Sequence, residues 1–75
     1  MTVEEIFKTV FGIPESDVTD SLELKEISSW DSMSHMVLIT QIEQEFEIEM
    51  TGDEIADLDS VQSVKKVVAR HREGK

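Results

Sequence analysis

The chain has 75 residues, a formal net charge of −10 and no cysteine. A chain of this length forms one small domain, which buries only about 60% of the surface of its unfolded chain and leaves little room for a deep active site. Without cysteine, disulfides and thiolate metal sites are excluded. No apolar run reaches transmembrane length and no signal-peptide pattern precedes Phe11, so we expect a cytoplasmic protein with no membrane partner.

The negative charge is concentrated in one part of the chain. Between Lys25 and Lys65 there is no Lys or Arg. The acids of this interval are Glu26, Asp31, Glu43, Glu45, Glu47, Glu49, Asp53, Glu54, Asp57 and Asp59. A field of one sign repels nucleic acid and attracts basic protein surfaces. We therefore expect protein partners and no nucleic acid, although the same acids also keep a small domain soluble.

The first predicted helix runs from Thr2 to about Phe11. Thr2-x-x-Glu5 matches a capping box, and an apolar stripe follows it with helical spacing. Gly12 and Pro14 end the helix. Residues 13–31 then form a long connection that contains a possible short helical turn. Its apolar residues are expected to anchor it to the core: Ile13, Val18, Leu22, Leu24 and Ile27.

The second predicted helix begins at Ser32, after Asp31 as N-cap, and ends near Phe46. It would be roughly 22 Å long at 1.5 Å per residue. One apolar stripe contains His35, Leu38, Ile39, Ile42 and Phe46, and an adjoining one contains Met33, Met36, Val37 and Thr40. This arc is wider than one core face needs, so part of it is expected to face a ligand or a partner.

Two shorter patterns complete the chain. Thr51-x-x-Glu54 is a second capping box, which predicts a short helix near Asp53–Leu58. Asp59 or Ser60 is expected to cap a last helix that ends near His71. The inward face of that helix would contain Val61, Val64, Val67 and Val68. The sequence thus predicts one all-α domain over residues 1–75.

The start of the second helix resembles a known attachment site. The run Trp30-Asp31-Ser32-Met33-Ser34-His35-Met36 resembles the phosphopantetheine site of acyl carrier proteins, where Asp-Ser-Leu is usual and Met33 here replaces Leu. The segments 43–46 and 51–54 are also similar to that family, and the likeness spans essentially the whole chain. It implies an acyl carrier protein-like four-helix bundle with a long loop between helices one and two and a short third helix.

The resemblance implies a carrier and not an enzyme. A separate phosphopantetheinyl transferase would move 4′-phosphopantetheine from coenzyme A to Ser32, and Asp31 would help that transferase engage the site. The arm would hold an acyl or aminoacyl group as a thioester, with its thiol from the cofactor because the chain has no cysteine. The expected protein is a monomer that moves between a loading enzyme and a downstream acyltransferase or synthase.

The partner-facing residues follow from the same resemblance. Met33 and Met36 are expected to face partners, because Met adapts to varied surfaces. Met33 is also expected to belong to the cofactor-binding site with Asp31 and Ser32. An acidic docking surface would meet basic surfaces on partner enzymes, and it would contain Glu43, Glu45, Glu49, Asp53 and Glu54.

The type of carrier is less defined. Trp30, Ser34 and Val37 depart from carriers of fatty-acid biosynthesis, and this favours a stand-alone carrier of a specialised pathway, of which polyketide biosynthesis is one kind. Aminoacyl or peptidyl carriers, for example of the D-alanyl type, remain open, as does an unmodified helical interaction module. A hydrolase using Ser32 and His35 is disfavoured, because His35 shares the inward stripe and no oxyanion hole is evident.

Trp30, directly before the motif, either covers the loop or contacts partners, and the sequence does not decide between them. By resemblance, a region between the second and third helices would shelter an acyl chain, although a filled core is the simpler interpretation. Its residues would be Met36, Ile39, Thr40, Ile55 and Leu58. No EF-hand loop is present, so no metal is expected.

Overall fold

The computed structural model describes residues 1–73, so the last two residues of the predicted domain lie outside the described part. Its helices are α1 (Val3–Phe11), α2 (Ser32–Phe46), α3 (Gly52–Asp57) and α4 (Val61–Glu73). Two 3₁₀ turns, Glu15–Asp17 and Leu24–Glu26, lie in the connection between α1 and α2. The described chain is therefore all-helical, as predicted, with a long loop after α1 and a short third helix.

Local signals at the ends of α1 are confirmed. The Thr2 hydroxyl accepts from the Glu5 backbone N–H at 3.2 Å, and the Glu5 carboxylate accepts from the Thr2 N–H at 3.2 Å. This reciprocal box satisfies two donors at a helix start that lack partners within the helix. Gly12 ends α1 with φ 69°, a left-handed conformation that glycine adopts without a Cβ clash.

The long connection is packed and not loose. Val18, Leu24 and Ile27 are buried, and Ile13 and Leu22 pack against the same core. The Leu24 N–H donates to the Asp59 carbonyl at 2.8 Å, and the Val61 N–H donates to the Leu22 carbonyl at 3.0 Å. These bonds fasten the middle of the connection to the start of α4, so the chain reaches α2 along a fixed path.

The two faces of α2 have different surroundings. Leu38, Ile39 and Ile42 are buried, and α1 packs against both α2 and α4. The opposite face exposes Met33, Met36 and Val37. The wide apolar arc of the sequence is therefore divided between a core side and a solvent side, as expected.

Both later helices begin at the predicted caps. Thr51 forms the predicted capping box with Glu54, and α3 covers Gly52–Asp57, one residue earlier than the predicted Asp53–Leu58. At α4, Ser60 and Ser63 exchange hydrogen bonds of 3.0 and 3.1 Å between hydroxyl and backbone N–H, so Ser60 is the cap. The predicted inward valines of α4 are all buried: Val61, Val64, Val67 and Val68.

One lysine joins three distant segments. The Lys65 ammonium on α4 lies 2.6 Å from a carboxylate oxygen of Glu4 on α1 and 2.6 Å from one of Asp20 in the long connection. Both carboxylates, Asp20 first and then Glu4, raise the pKa of Lys65 above its usual value.

Over the described residues, no helix is long and apolar enough to cross a bilayer.

Candidate functional site

The start of α2 is built by a reciprocal pair of side chains. Asp31 is the N-cap in an extended conformation, and its Oδ1 accepts from the Ser34 N–H at 2.8 Å. The Ser34 hydroxyl in turn accepts from the Asp31 N–H at 2.8 Å. Serine here takes the position that Glu or Gln occupies in the common form of the box. The serine two residues after Ser32 is thus part of the cap, a role that the sequence analysis did not assign to it.

Asp31 is held in its ionised form. The Ser34 backbone N–H, and after it the Ser34 hydroxyl, keep the pKa of Asp31 below its usual range. Its carboxylate lies at the positive end of the α2 dipole, where a negative charge is stabilised. The residue is therefore both an anchor for the helix start and a fixed charge next to Ser32.

Ser32 is exposed at the first position of α2. Within residues 1–73 no side-chain hydrogen bond, ion pair or electrostatic contact engages its hydroxyl. The hydroxyl is thus accessible, at a helix start where backbone N–H groups and the dipole favour an attached anion.

Apolar side chains surround this helix start on the solvent side. Met33 is 79% exposed, Met36 50%, Val37 49% and Trp30 37%. Residues 32–42 include no Asp, Glu, Lys or Arg. Beyond the Asp31 carboxylate, the first turns of α2 therefore have no charged side chain, and Met33 and Met36 are both available to a partner.

His35 does not contact Ser32. Its Nδ1 lies 3.2 Å from the Trp30 indole nitrogen, and its Nε2 lies 3.1 Å from the Ile55 carbonyl oxygen. Both ring nitrogens are therefore engaged elsewhere, and neither is placed to take a proton from the Ser32 hydroxyl. His35 is partly buried, in agreement with its place in the inward stripe of the second predicted helix.

Three of the predicted docking acids also have contacts within the molecule. The Glu43 carboxylate accepts from the Met50 N–H at 2.9 Å, and Glu45 pairs with the Met1 amino group. The Glu54 side chain is only 11% exposed, and it contacts His71 Nε2 at 2.8 Å. These bonds hold the three carboxylates against the bundle, where each has less freedom to turn to a partner.

The other two predicted docking acids are exposed. Glu49 lies between α2 and α3, and Asp53 lies in the first turn of α3. No ion pair or hydrogen bond engages their carboxylates within residues 1–73. The structure thus separates the predicted acidic surface into two solvent-facing carboxylates and three internally bonded ones.

The region between α2 and α3 is mostly filled. Ile39 and Leu58 are 1% and 4% exposed, and Ile55 packs against the core. Met36 and Thr40 are exposed instead of lying between the two helices. The arrangement agrees with the filled-core interpretation.

Comparison with known proteins gives the family. The profile described as "Phosphopantetheine attachment site" matches residues 2–68, a span that includes Asp31, Ser32 and the whole of α2 and α3. The chain is 32% identical over 69 residues to an acyl carrier protein of Buchnera aphidicola subsp. Baizongia pistaciae, with 92% of this chain and 88% of that protein covered.

A solved structure agrees with the sequence match. The solution structure of holo acyl carrier protein from Geobacter metallireducens superposes with a TM-score of 0.84 at 28% identity, covering 96% of this chain and 83% of that one. The chain therefore belongs to the phosphopantetheine-attachment family of acyl carrier proteins. The cofactor of this family is covalent 4′-phosphopantetheine, and its members are carriers and not enzymes.

Proposed function

We propose that Ser32 is the attachment residue for 4′-phosphopantetheine, and that the chain holds an acyl or aminoacyl group as a thioester on that arm. The observation that supports this most directly is the exposed Ser32 hydroxyl, without a partner in the described chain, at the capped start of α2. A phosphodiester there lies where the helix dipole stabilises negative charge. When bound, the group supplies the thiol that this cysteine-free chain lacks.

The chain's own part in attachment is to present the hydroxyl. Asp31 and Ser34 fix the backbone on either side of Ser32, so the exposed hydroxyl projects from a rigid helix start. The Ser32 oxygen would bond to the phosphorus of coenzyme A that bears pantetheine, while the bond from that phosphorus to the bridging oxygen of the pyrophosphate breaks and adenosine 3′,5′-bisphosphate leaves. The proton of the Ser32 hydroxyl would go to a base of the transferase, because both ring nitrogens of His35 are bonded to Trp30 and Ile55.

The docking of partners divides between apolar and acidic contacts. Met33 and Met36 would meet a partner's surface beside the arm, while Glu49 and Asp53 would steer basic surfaces towards it. Glu43, Glu45 and Glu54 remain part of the proposed acidic surface, with their internal bonds limiting their reorientation. Charges of this kind mainly speed association, and salt weakens their effect.

The carrier is proposed to act as a monomer in the cytoplasm, in a specialised biosynthetic pathway. The absence of charged residues over residues 32–42 supports the specialised pathway, because it departs from the acidic helix of the fatty-acid type. The cargo is chosen by the loading enzyme and not by the carrier. The mass of the acyl group on protein purified from its native cell would identify the cargo directly.

Attachment is tested by intact mass spectrometry. Apo-protein incubated with coenzyme A and a broad-specificity phosphopantetheinyl transferase should gain the mass of one phosphopantetheine. Ser32→Ala should abolish the gain, and Ser28→Ala, an exposed serine four residues earlier, should retain it. If the wild-type protein gains no mass, it is not a carrier under these conditions and the unmodified interaction module becomes the better hypothesis.

A further inference from the structure

Trp30 and His35 form a contact across the start of α2. Trp30 precedes the N-cap, and His35 is the fourth residue of the helix. These are the two positions that meet in a hydrophobic staple, which fixes the angle at which the chain enters a helix. Here the rings lie edge to face, with centroids 6.0 Å apart and planes at 77°. A 3.2 Å hydrogen bond joins the same two side chains, so the staple is also polar.

The partners of His35 determine which nitrogen bears its proton. An indole N–H is a donor only, so Nδ1 must accept and has no proton. The neutral ring therefore has its proton on Nε2, which donates to the Ile55 carbonyl at 3.1 Å. Both nitrogens are satisfied in one tautomer, and one ring links the residue before the N-cap to the backbone of α3.

α3 needs such a link. It has six residues, far fewer than a helix needs to be stable alone in water. The carbonyls of its last turn lack partners within the helix. The Ile55 carbonyl oxygen lies 3.4 Å from the Leu58 nitrogen, which is long for a hydrogen bond, and 3.1 Å from His35 Nε2. The imidazole N–H is therefore the closer donor to this carbonyl. His35 thus caps the end of α3 from a neighbouring helix.

We propose that His35 is a positioning residue of the attachment site. It fixes the Trp30 indole against the start of α2, and it fastens α3 to the same point. A partner that approaches the arm then meets one fixed arrangement of the indole, the helix start and α3. The functional meaning of this link rests on attachment at Ser32, but the link itself is a property of the chain without cofactor.

Three substitutions separate the two halves of the link. His35→Asn keeps an acceptor near the Nδ1 position, His35→Gln keeps a donor near the Nε2 position, and His35→Phe keeps only the ring. Trp30 is the sole tryptophan, so its indole N–H gives one unambiguous NMR signal. We expect indole N–H exchange about fivefold faster in His35→Gln and His35→Phe, and α3 amide exchange about fivefold faster in His35→Asn and His35→Phe.

The second histidine is the matched control. His71 also contacts the α3 region, through Glu54, but has no contact with Trp30. His71→Phe should therefore speed exchange in α3 and leave the indole signal unchanged. In the wild-type protein, imidazole ¹⁵N shifts should show His35 protonated at Nε2 and not at Nδ1.

The outcomes distinguish this proposal from attachment itself. An Nδ1-protonated His35, or indole and α3 exchange unchanged in His35→Phe, would overturn the positioning role. The mass gain at Ser32 is measured on the same samples. Attachment without the exchange changes refutes only the link, and exchange changes without attachment refute only the carrier site.

Discussion

The division of α2 into a core face and a partner face can be tested with two neighbouring residues. Leu38 is fully buried, and Val37, one residue earlier, is 49% exposed. Both become alanine, the best helix former, so neither change weakens the helix backbone. The difference between the two variants then reports mainly packing, because the gain in helix propensity from Val to Ala is at most about 0.7 kcal/mol.

The expected magnitudes differ severalfold. Truncating a buried leucine to alanine costs about 2–5 kcal/mol in unfolding free energy. A domain of 75 residues has roughly 4–11 kcal/mol in total, at about 0.05–0.15 per residue. Leu38→Ala thus removes a large part of the stability. A loss of about 3 kcal/mol lowers Tm by roughly 12–24 °C. Val37→Ala should stay within about 0.5 kcal/mol, since improved propensity offsets its lost contact.

Urea unfolding followed by far-UV circular dichroism measures both variants, and thermal unfolding provides Tm independently. The slope against urea should be the same in all three proteins, so that the midpoints alone report stability. Equal midpoints for the two variants would refute the assignment of the faces. A larger loss for Val37→Ala would show that α2 is rotated relative to the core.

Other perturbations test the contacts between segments. Lys65→Met should cost about 0.2–1 kcal/mol for each of its two partly exposed ion pairs, and less in high salt; a loss that is the same at low and high salt would contradict an ionic contribution. Thr51→Ala should cost about 1 kcal/mol and speed amide exchange mainly in α3, whereas exchange that rises equally in α1 would show that the cap is not local. Glu54 has its pKa lowered, first by the Thr51 N–H and then by His71, from the usual 4.5. Because the folded pKa is the lower one, its contribution to stability is present above pH 4.5 and is lost as pH falls through the folded value. The Tm values of the wild-type protein and Glu54→Gln should therefore converge in acid, and a gap that is constant with pH would contradict this.

Several features of this protein follow from short stretches of sequence. The capping boxes at Thr2 and Thr51, the bounds of α2 and the buried valines of α4 are as predicted. These features depend on residues within about one helical turn of each other, so spacing alone is informative. The exposed Ser32 also follows from its place directly after an N-cap.

Other features depend on segments that are distant in sequence. The contact of His35 with the Ile55 carbonyl and the internal bonds of Glu43 and Glu54 cannot be read from spacing, whereas Trp30 and His35 have the spacing of a staple. An exposed acid and an internally bonded acid look the same in sequence, because the difference lies in which donor the fold brings beside each carboxylate. The helices and the serine at the head of α2 follow from local sequence patterns. The anchoring of that helix start to α3 is visible only in the folded chain, because the contact of His35 with the Ile55 carbonyl forms between two helices and not within one.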